Sequence, residues 1–182
     1  NKAPFEGDTL FASKEVGLKM GISELFKGAG EPIAIKNLFV DGAYIHVKVN
    51  EEELANYEIA NDDGNENLES SEGFTLDLQS YEITNSRVIY DDRAAKVYLV
   101  VSDIQHSGRG DFSAVTSELD TRTDALVTFE LDSANYLNKN RIKLDALIGI
   151  DLKQDEYTFL KNEALVNQLP LVFEGFIKVN EN

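Results

Sequence analysis

The stretch Tyr44-Ile45-His46-Val47-Lys48-Val49 alternates with a period of two, which is the pattern of a strand with one buried and one solvent-exposed face. Working outward, the same alternation recurs in short runs rich in β-branched and aromatic residues. Clusters of Asp, Asn, Gly and Ser separate these runs, as is typical of strands joined by turns. The runs lie at residues 33–40, 74–79, 97–101, 127–131, 142–144, 148–152 and 173–179. The sequence therefore predicts a mainly β fold.

Strands that follow one another this closely, without a helical crossover between them, are expected to pair antiparallel. The expected product is an antiparallel β-sandwich of the Ig-like kind. The dipeptide Asp41-Gly42 lies between two apolar runs and predicts a two-residue hairpin turn, because such turns need positive φ. A longer turn is predicted at residues 91–95.

Helical patterns are sparse. Residues 13–27 space Leu18, Ile22, Leu25 and Phe26 at helical intervals, and a glycine follows at position 28, which predicts a short N-terminal helix. The same segment also alternates with a period of two, so a strand stays open as the alternative. Residues 51–59 and 158–168 are weaker candidates for short helices.

The most polar part of the chain is residues 61–72, which are rich in Asn, Asp and Glu and have almost nothing to bury. This stretch is expected to be an exposed loop or linker. It would separate an N-terminal unit at residues 5–60, with the helix and the hairpin, from a C-terminal sandwich unit at residues 73–182. Whether the chain forms one unit or two small ones stays open.

The composition of the 182-residue chain argues against several classes of function. The sequence has 17 Lys and Arg against 33 Asp and Glu, so its formal net charge is −16. Such a charge repels nucleic acid and anionic membrane surfaces. The chain has no cysteine, which excludes disulfide bonds, thiolate nucleophiles and zinc sites with cysteine ligands.

Groups that could carry out catalysis are few. His46 lies on the predicted solvent face of its strand, and His106 lies in a segment rich in turn-forming residues. Nucleophile-elbow, P-loop, dinucleotide-binding and zinc-helix motifs are absent from the sequence. The sequence therefore predicts a protein that is not an enzyme and needs no cofactor.

Calcium is the one metal that the sequence suggests, because this cation binds several oxygen ligands on a loop. The spacing required for an EF-hand is not met around Gly64, so a solvated linker is the alternative. The candidate ligands all lie in the acidic stretch: Asp62, Asp63, Asn65, Glu66 and Glu69.

A second candidate site is the tripeptide Arg109-Gly110-Asp111, which follows Gly108. Animal integrins recognise this tripeptide in adhesive loops. Glycine followed by aspartate is also ordinary turn chemistry, so a simple turn is the alternative.

The chain begins at Asn1 without an initiator methionine, and its longest uninterrupted apolar run, residues 97–101, is far shorter than a bilayer helix. We therefore expect a processed or trimmed form of an extracytoplasmic protein, with no direct membrane insertion by this segment. A trimmed cytoplasmic protein is the alternative.

Part of the N-terminal sequence resembles an uncharacterised extracytoplasmic domain. The resemblance is carried by residues 15–19, Ile22, residues 25–26, residues 35–41 and residues 43–49. That domain follows the single membrane helix of anti-sigma-factor-like proteins in Gram-positive bacteria. The resemblance covers residues 15–50, and Glu15-Val16 stands where the family has Asp-Lys. It implies an Ig-like fold outside the membrane and a sensing or scaffolding role, and it carries over no functional residues.

Together these observations predict a non-enzymatic, extracytoplasmic β-sandwich domain of a bacterial surface or membrane-anchored protein. Its partner would be a protein or a glycan. One alternative is a secreted carbohydrate- or calcium-binding module, with tyrosines stacking on sugar rings: Tyr57, Tyr81, Tyr90 and Tyr136. A structural spacer domain is the other.

Overall fold

The computed structural model describes residues 4–28, 33–57, 74–111 and 114–178. About 70% of these residues are in strands, so the predicted mainly β fold is confirmed. No helix in the described ranges is long and apolar enough to cross a membrane. The strands are β1 (Phe11–Ala12), β2 (Glu15–Met20), β3 (Ile33–Asp41), β4 (Tyr44–Val49), β5 (Phe74–Asp92), β6 (Val97–Arg109), β7 (Thr116–Leu131), β8 (Ala134–Asp151), β9 (Glu156–Val166), β10 (Leu169–Leu171) and β11 (Gly175–Lys178).

These strands belong to one mixed sheet with the order β1-β4-β5-β6-β7-β8-β9-β10. β5 to β9 form an antiparallel meander, β10 and β11 both pair with β9, and β2 pairs with β3. The turn predicted at residues 91–95 is confirmed, because β5 ends at Asp92 and β6 begins at Val97.

The hairpin predicted at Asp41-Gly42 is wrong. β3 and β4 follow one another along the same edge of β5, and both run parallel to it. Gly42 does adopt a positive φ of 62°. However, its N–H donates to the carbonyl of Thr84 on β5 at 2.9 Å, which keeps the chain beside β5. The positive φ therefore interrupts one long strand locally instead of reversing it.

The parallel pairing of β3 and β4 with β5 also corrects the prediction of a purely antiparallel fold. A parallel connection needs about a dozen residues or more. The chain between Val49 and Phe74 supplies that length, and the acidic stretch at residues 61–72 lies within it, outside the described residues. The division into units at residues 5–60 and 73–182 stays a prediction, although strands from both segments share the sheet.

The short N-terminal helix predicted at residues 13–27 is wrong. β2 occupies Glu15–Met20 and is followed by a single 3₁₀ turn, Ile22–Phe26. The period-two alternation prevails because β2 forms an antiparallel ladder with β3, which an isolated helix of this length cannot match in water. The helix at residues 158–168 is likewise replaced by β9, and residues 51–57 form turns.

At one height along the sheet, three neighbouring strand segments each contain a residue with positive φ and depart from regular strand geometry. Gly42 lies between β3 and β4, Asn85 has a φ of 49° in β5, and Asp103 has a φ of 52° in β6. The register between β5 and β6 shifts at the same level. Because bulges increase local twist and bend, the long strands are expected to change direction here.

The two faces of the meander differ in polarity. Residues directly opposite each other on neighbouring strands share a face. On one face, Thr121 and Ala146 are only 4% and 3% exposed. Their chain neighbours Arg122 and Asp145 lie opposite each other on the second face and are exposed. We call these the buried face and the charged face.

Candidate functional site

A cleft of about 730 Å³ crosses the meander from β5 to β10. This volume lies within the range of small-ligand and peptide pockets, roughly 300–1,000 Å³. The cleft is open, and most of the side chains that line it belong to two neighbouring rows on the charged face. Each row contains one residue from each successive strand, because the register aligns the five strands of the meander.

The first row, which we call the charged row, runs across β5 to β9. The register places Ser107 opposite Glu82, Arg122 opposite Ser107 and Asp145 opposite Arg122. Glu163 on β9 completes the row opposite Asp145. The row therefore ends with two carboxylates side by side on neighbouring strands.

The second row, which we call the mixed row, combines an ion pair with apolar residues. Asp124 on β7 lies 2.8 Å from the Nε atom of Arg141 and 3.6 Å from the Nζ atom of Lys143. A hydrogen bond from Arg141 holds the pKa of Asp124 below its usual value, and the nearby positive charges add to the effect. Towards β10 the row continues with Leu165 and then Pro170. The two charges of this row, Asp124 and Lys143, are thus paired with each other, and Asp124 is also paired with Arg141 beside the row.

The β10 end of the cleft has an apolar rim. It consists of Leu165, Pro170, Leu171 and Val172. Val172 is 77% exposed, and Leu165 and Leu171 are 40% and 43% exposed. The rim is exposed because β10 lies at the edge of the sheet and no described strand packs beyond it.

His106 lies within β6 and not in a turn, which corrects the expectation from its turn-rich surroundings. Its ring bridges three strands: Nε2 is 2.7 Å from the hydroxyl of Tyr81, and Nδ1 is 2.9 Å from the hydroxyl of Thr123. The ring of Tyr81 lies across Gly108, where a Cβ would collide with it. His106 is half-buried and holds the strands beneath the cleft together.

We expect the free energy of unfolding to fall below pH 6.5 because of His106. Burial lowers the pKa of His106 below its usual value of 6.5. The unfolded chain therefore binds a proton at His106 as the pH falls through 6.5, whereas the folded chain binds it only at a lower pH. The contribution is complete above pH 6.5 and is lost below it. Urea unfolding between about pH 7.5 and 5.5 should show this slope, and His106→Gln should reduce it.

His46 is the control for this measurement, because burial also lowers its pKa. His46→Gln should leave the His106 share of the slope in place. Carboxylates such as Asp124 and Asp92 have pKa values below their usual range, so they stay ionised in this window. Equal slopes for the wild-type chain and His106→Gln would contradict the assignment.

His46 was predicted on the solvent face of its strand. Its ring is half-buried, with Nδ1 3.2 Å from the hydroxyl of Tyr44. The N-terminal segment packs along this edge of β4, where the backbone N–H of His46 donates to the carbonyl of Leu10. Alternation along one strand shows which side chains share a face, but not what covers that face.

The predicted calcium ligands cannot be placed. They are Asp62, Asp63, Asn65, Glu66 and Glu69, and all lie outside the described residues. Among the residues that are described, no group of three or more His, Asp or Glu is arranged to hold a metal ion. Calcium binding by the acidic stretch stays a prediction.

The tripeptide Arg109-Gly110-Asp111 begins in the sheet. Arg109 is the last residue of β6, and Gly110 donates its N–H to the carbonyl of Gln79 on β5 at 3.0 Å. A Cβ on Gly110 would meet the backbone carbonyl of Glu118. This close approach of β7 gives a structural reason for the glycine. An adhesive role for the tripeptide stays a prediction.

The four tyrosines predicted to stack on sugars do not form a common site at the cleft. None of them lines the cleft. Tyr57 and Tyr136 are 55% and 63% exposed. The hydroxyl of Tyr81 is bound to His106, and that of Tyr90 donates to Asp92 at 2.8 Å, which raises the pKa of Tyr90.

Sequence reasoning did not single out the charged row. Its signal is the alternation of charged with small or apolar residues in β7, where Glu118, Asp120, Arg122 and Asp124 share one face. Similar charged positions occur in β8 and β9. Only the register shows that these positions meet across the strands.

No family model, curated protein or solved structure matches this chain. Functional assignment therefore rests on the residues and geometry described above.

Proposed function

We propose that this chain is a non-enzymatic, extracytoplasmic binding domain of a bacterial surface or membrane-anchored protein, with a sensing or scaffolding role. The observation that carries the binding role is the open cleft across the charged face. Its volume suits an extended ligand, and the two rows that line it offer charged and hydrogen-bonding groups in register. A spacer domain would need no such cleft.

A non-enzymatic role is supported by the environment of His106. Both ring nitrogens lie within hydrogen-bonding distance of hydroxyl groups on neighbouring strands, Tyr81 and Thr123. Because those contacts occupy the ring, a structural role for His106 is favoured over the role of a general base.

An extracytoplasmic location is supported by the resemblance over residues 15–50 and by the absence of cysteine. We further propose that the single sheet folds over into an Ig-like sandwich. The aligned irregularities at Gly42, Asn85 and Asp103 support this proposal, since they provide a level at which the long strands can bend.

A protein segment is favoured over a glycan as the ligand of this cleft. Sugar-binding sites commonly use exposed aromatic rings as stacking surfaces, and among the described residues no tyrosine or phenylalanine lines the cleft. Its charged rows instead provide partners for peptide side chains and backbone.

The binding role can be tested by selecting random dodecapeptides on the immobilised chain. Gln105 lines the cleft on β6 and is exposed, so the larger side chain of Gln105→Trp should obstruct the cleft without disturbing the sheet. We expect the selected peptides to bind this variant at least about tenfold more weakly, because the central contact surface is lost.

The matched control is Tyr98→Trp, which places the same side chain at an exposed position of the same strand away from the cleft. Peptide binding should be unchanged in this variant. Peptides that bind Gln105→Trp as well as the wild-type chain would contradict the proposal. A chain that selects no peptide but binds a glycan array or calcium would instead support the carbohydrate- or calcium-binding alternative.

The location can be tested on intact cells that carry the native protein. A membrane-impermeant lysine reagent should label it without lysis. Labelling only after lysis would contradict an extracytoplasmic location.

A further inference from the structure

We propose that the ligand of the cleft is an extended segment of a partner protein that carries basic and apolar side chains. Its basic side chains would contact Asp145 and Glu163, and its apolar side chains would cover Leu165 and Val172. This inference rests on the proposed binding function and names the partner chemistry of that same cleft.

Two carboxylates at the β8–β9 end of the charged row provide charge complementarity for a basic partner. Asp145 and Glu163 are directly opposite each other on neighbouring strands, and both are exposed. Arg122 lies opposite Asp145 on β7, but neither carboxylate is within 4.0 Å of a cationic group of the described residues. Like charges directly opposite each other destabilise a sheet, and a cation placed between them removes that repulsion. A lysine or arginine of a partner would provide this cation.

The apolar rim continues directly from those carboxylates and favours a partner that also carries apolar side chains. Leu165 is two residues from Glu163 on β9 and faces the same side of the sheet. Val172, which also lines the cleft, is 77% exposed. Apolar side chains of a partner would remove this surface from water. A small hydrophilic cation would leave the rim exposed.

The shape of the cleft favours an extended segment. Four strand spacings separate β5 from β9, or about 19 Å. An extended peptide covers this distance with about six residues. The net charge of −16 repels an acidic segment of the same length, so a basic segment is the one that the electrostatics select.

The probe is a fluorescein-labelled octapeptide of alternating lysine and leucine, and its binding is followed by fluorescence anisotropy at physiological ionic strength. We expect the double variant Asp145→Asn, Glu163→Gln to bind about tenfold more weakly. The double variant Leu165→Ser, Val172→Ser should also bind several-fold more weakly. An octapeptide of alternating glutamate and leucine should not bind.

General attraction to an acidic protein is controlled by Glu51→Gln, Glu52→Gln. This variant loses the same charge from an exposed turn outside the cleft. It should bind the lysine-leucine peptide like the wild-type chain. An equal loss of affinity in this control would overturn the inference, and so would equal binding of an octapeptide of alternating lysine and serine.

The outcome is distinguishable from failure of the binding function itself. Dodecapeptides that require an open cleft but contain no basic residues would leave the proposed function standing and refute this inference. If the selected dodecapeptides bind Gln105→Trp as tightly as the wild-type chain, both the proposed binding function and this inference are refuted. Folding of each variant is checked by its urea unfolding midpoint, and the single variants Asp145→Asn and Glu163→Gln are used if the double variant does not fold.

Discussion

Replacing Gly110 by alanine is expected to lower the free energy of unfolding by about 3 kcal/mol, because the new methyl group overlaps the backbone of β7. A Cβ at this position would meet the carbonyl of Glu118 and the side chain of Leu119. A backbone carbonyl cannot rotate away as the end of a flexible side chain can. The displacement of the backbone by the new methyl group should also weaken the hydrogen bond from the N–H of Gly110 to the carbonyl of Gln79. Urea unfolding followed by tyrosine fluorescence measures the change.

The matched control is Gly17→Ala in β2. There a Cβ would make only ordinary contact with Phe39, at 3.7 Å. Alanine should be tolerated or slightly stabilising, since it restricts the unfolded chain more than glycine does. If the two variants unfold at the same urea concentration, the close approach of β7 to Gly110 is not as described.

Replacing Asn162 by leucine is expected to release the C-terminal edge of the sheet. Asn162 is 4% exposed, and its Oδ1 accepts the backbone N–H of Phe173 at 3.0 Å. Its Nδ2 donates to the carbonyl of the same residue. Leucine has a similar volume but makes neither hydrogen bond. The free energy needed to open the edge formed by β10 and β11 should therefore fall by about 2–3 kcal/mol. Hydrogen exchange of peptides covering residues 169–178 should accelerate accordingly.

Two further variants separate hydrogen bonding from a general disturbance. Asn162→Asp keeps the acceptor for the N–H of Phe173 but replaces the donor with an oxygen that faces the carbonyl of Phe173 at a buried position, so it should accelerate exchange at least as much as Asn162→Leu. Gln168→Leu changes an exposed residue in the neighbouring turn and should leave exchange unaltered. Unchanged exchange in Asn162→Leu would show that Asn162 does not anchor the segment.

The strands were predictable because alternation is a local property. The run at residues 44–49 and the run at residues 97–101 both become strands, and the turn between β5 and β6 lies where the polar residues predicted it. Pairing is not local. Asp41-Gly42 has the composition of a hairpin turn, yet hydrogen bonds to Thr84 and Ser86, more than forty positions away in sequence, keep β3 and β4 in line.

The same limit applies to the candidate site. The charged positions in β7, β8 and β9 can be read from the alternation of each strand. Their meeting in one row depends on the register, and a slip of one residue would transfer Arg122 to the other face. The two histidines drew attention as chemical groups, whereas the cleft is built from residues that look like ordinary solvated charges.

The course of β3 and β4 along the same edge of β5 sets a minimum length for the connection between Tyr57 and Phe74. Asn56 is bonded to Lys48, so Tyr57 lies near that level of β4, whereas Phe74 is opposite Ile33 at the far end of β3. Along straight strands these two levels would be about 45–50 Å apart, and a bend at the level of Gly42 brings them closer, while the connecting residues span at most about 60 Å when fully extended. The connection must be long enough to bring the chain back to the start of β5, so changes in its composition should be tolerated better than large deletions.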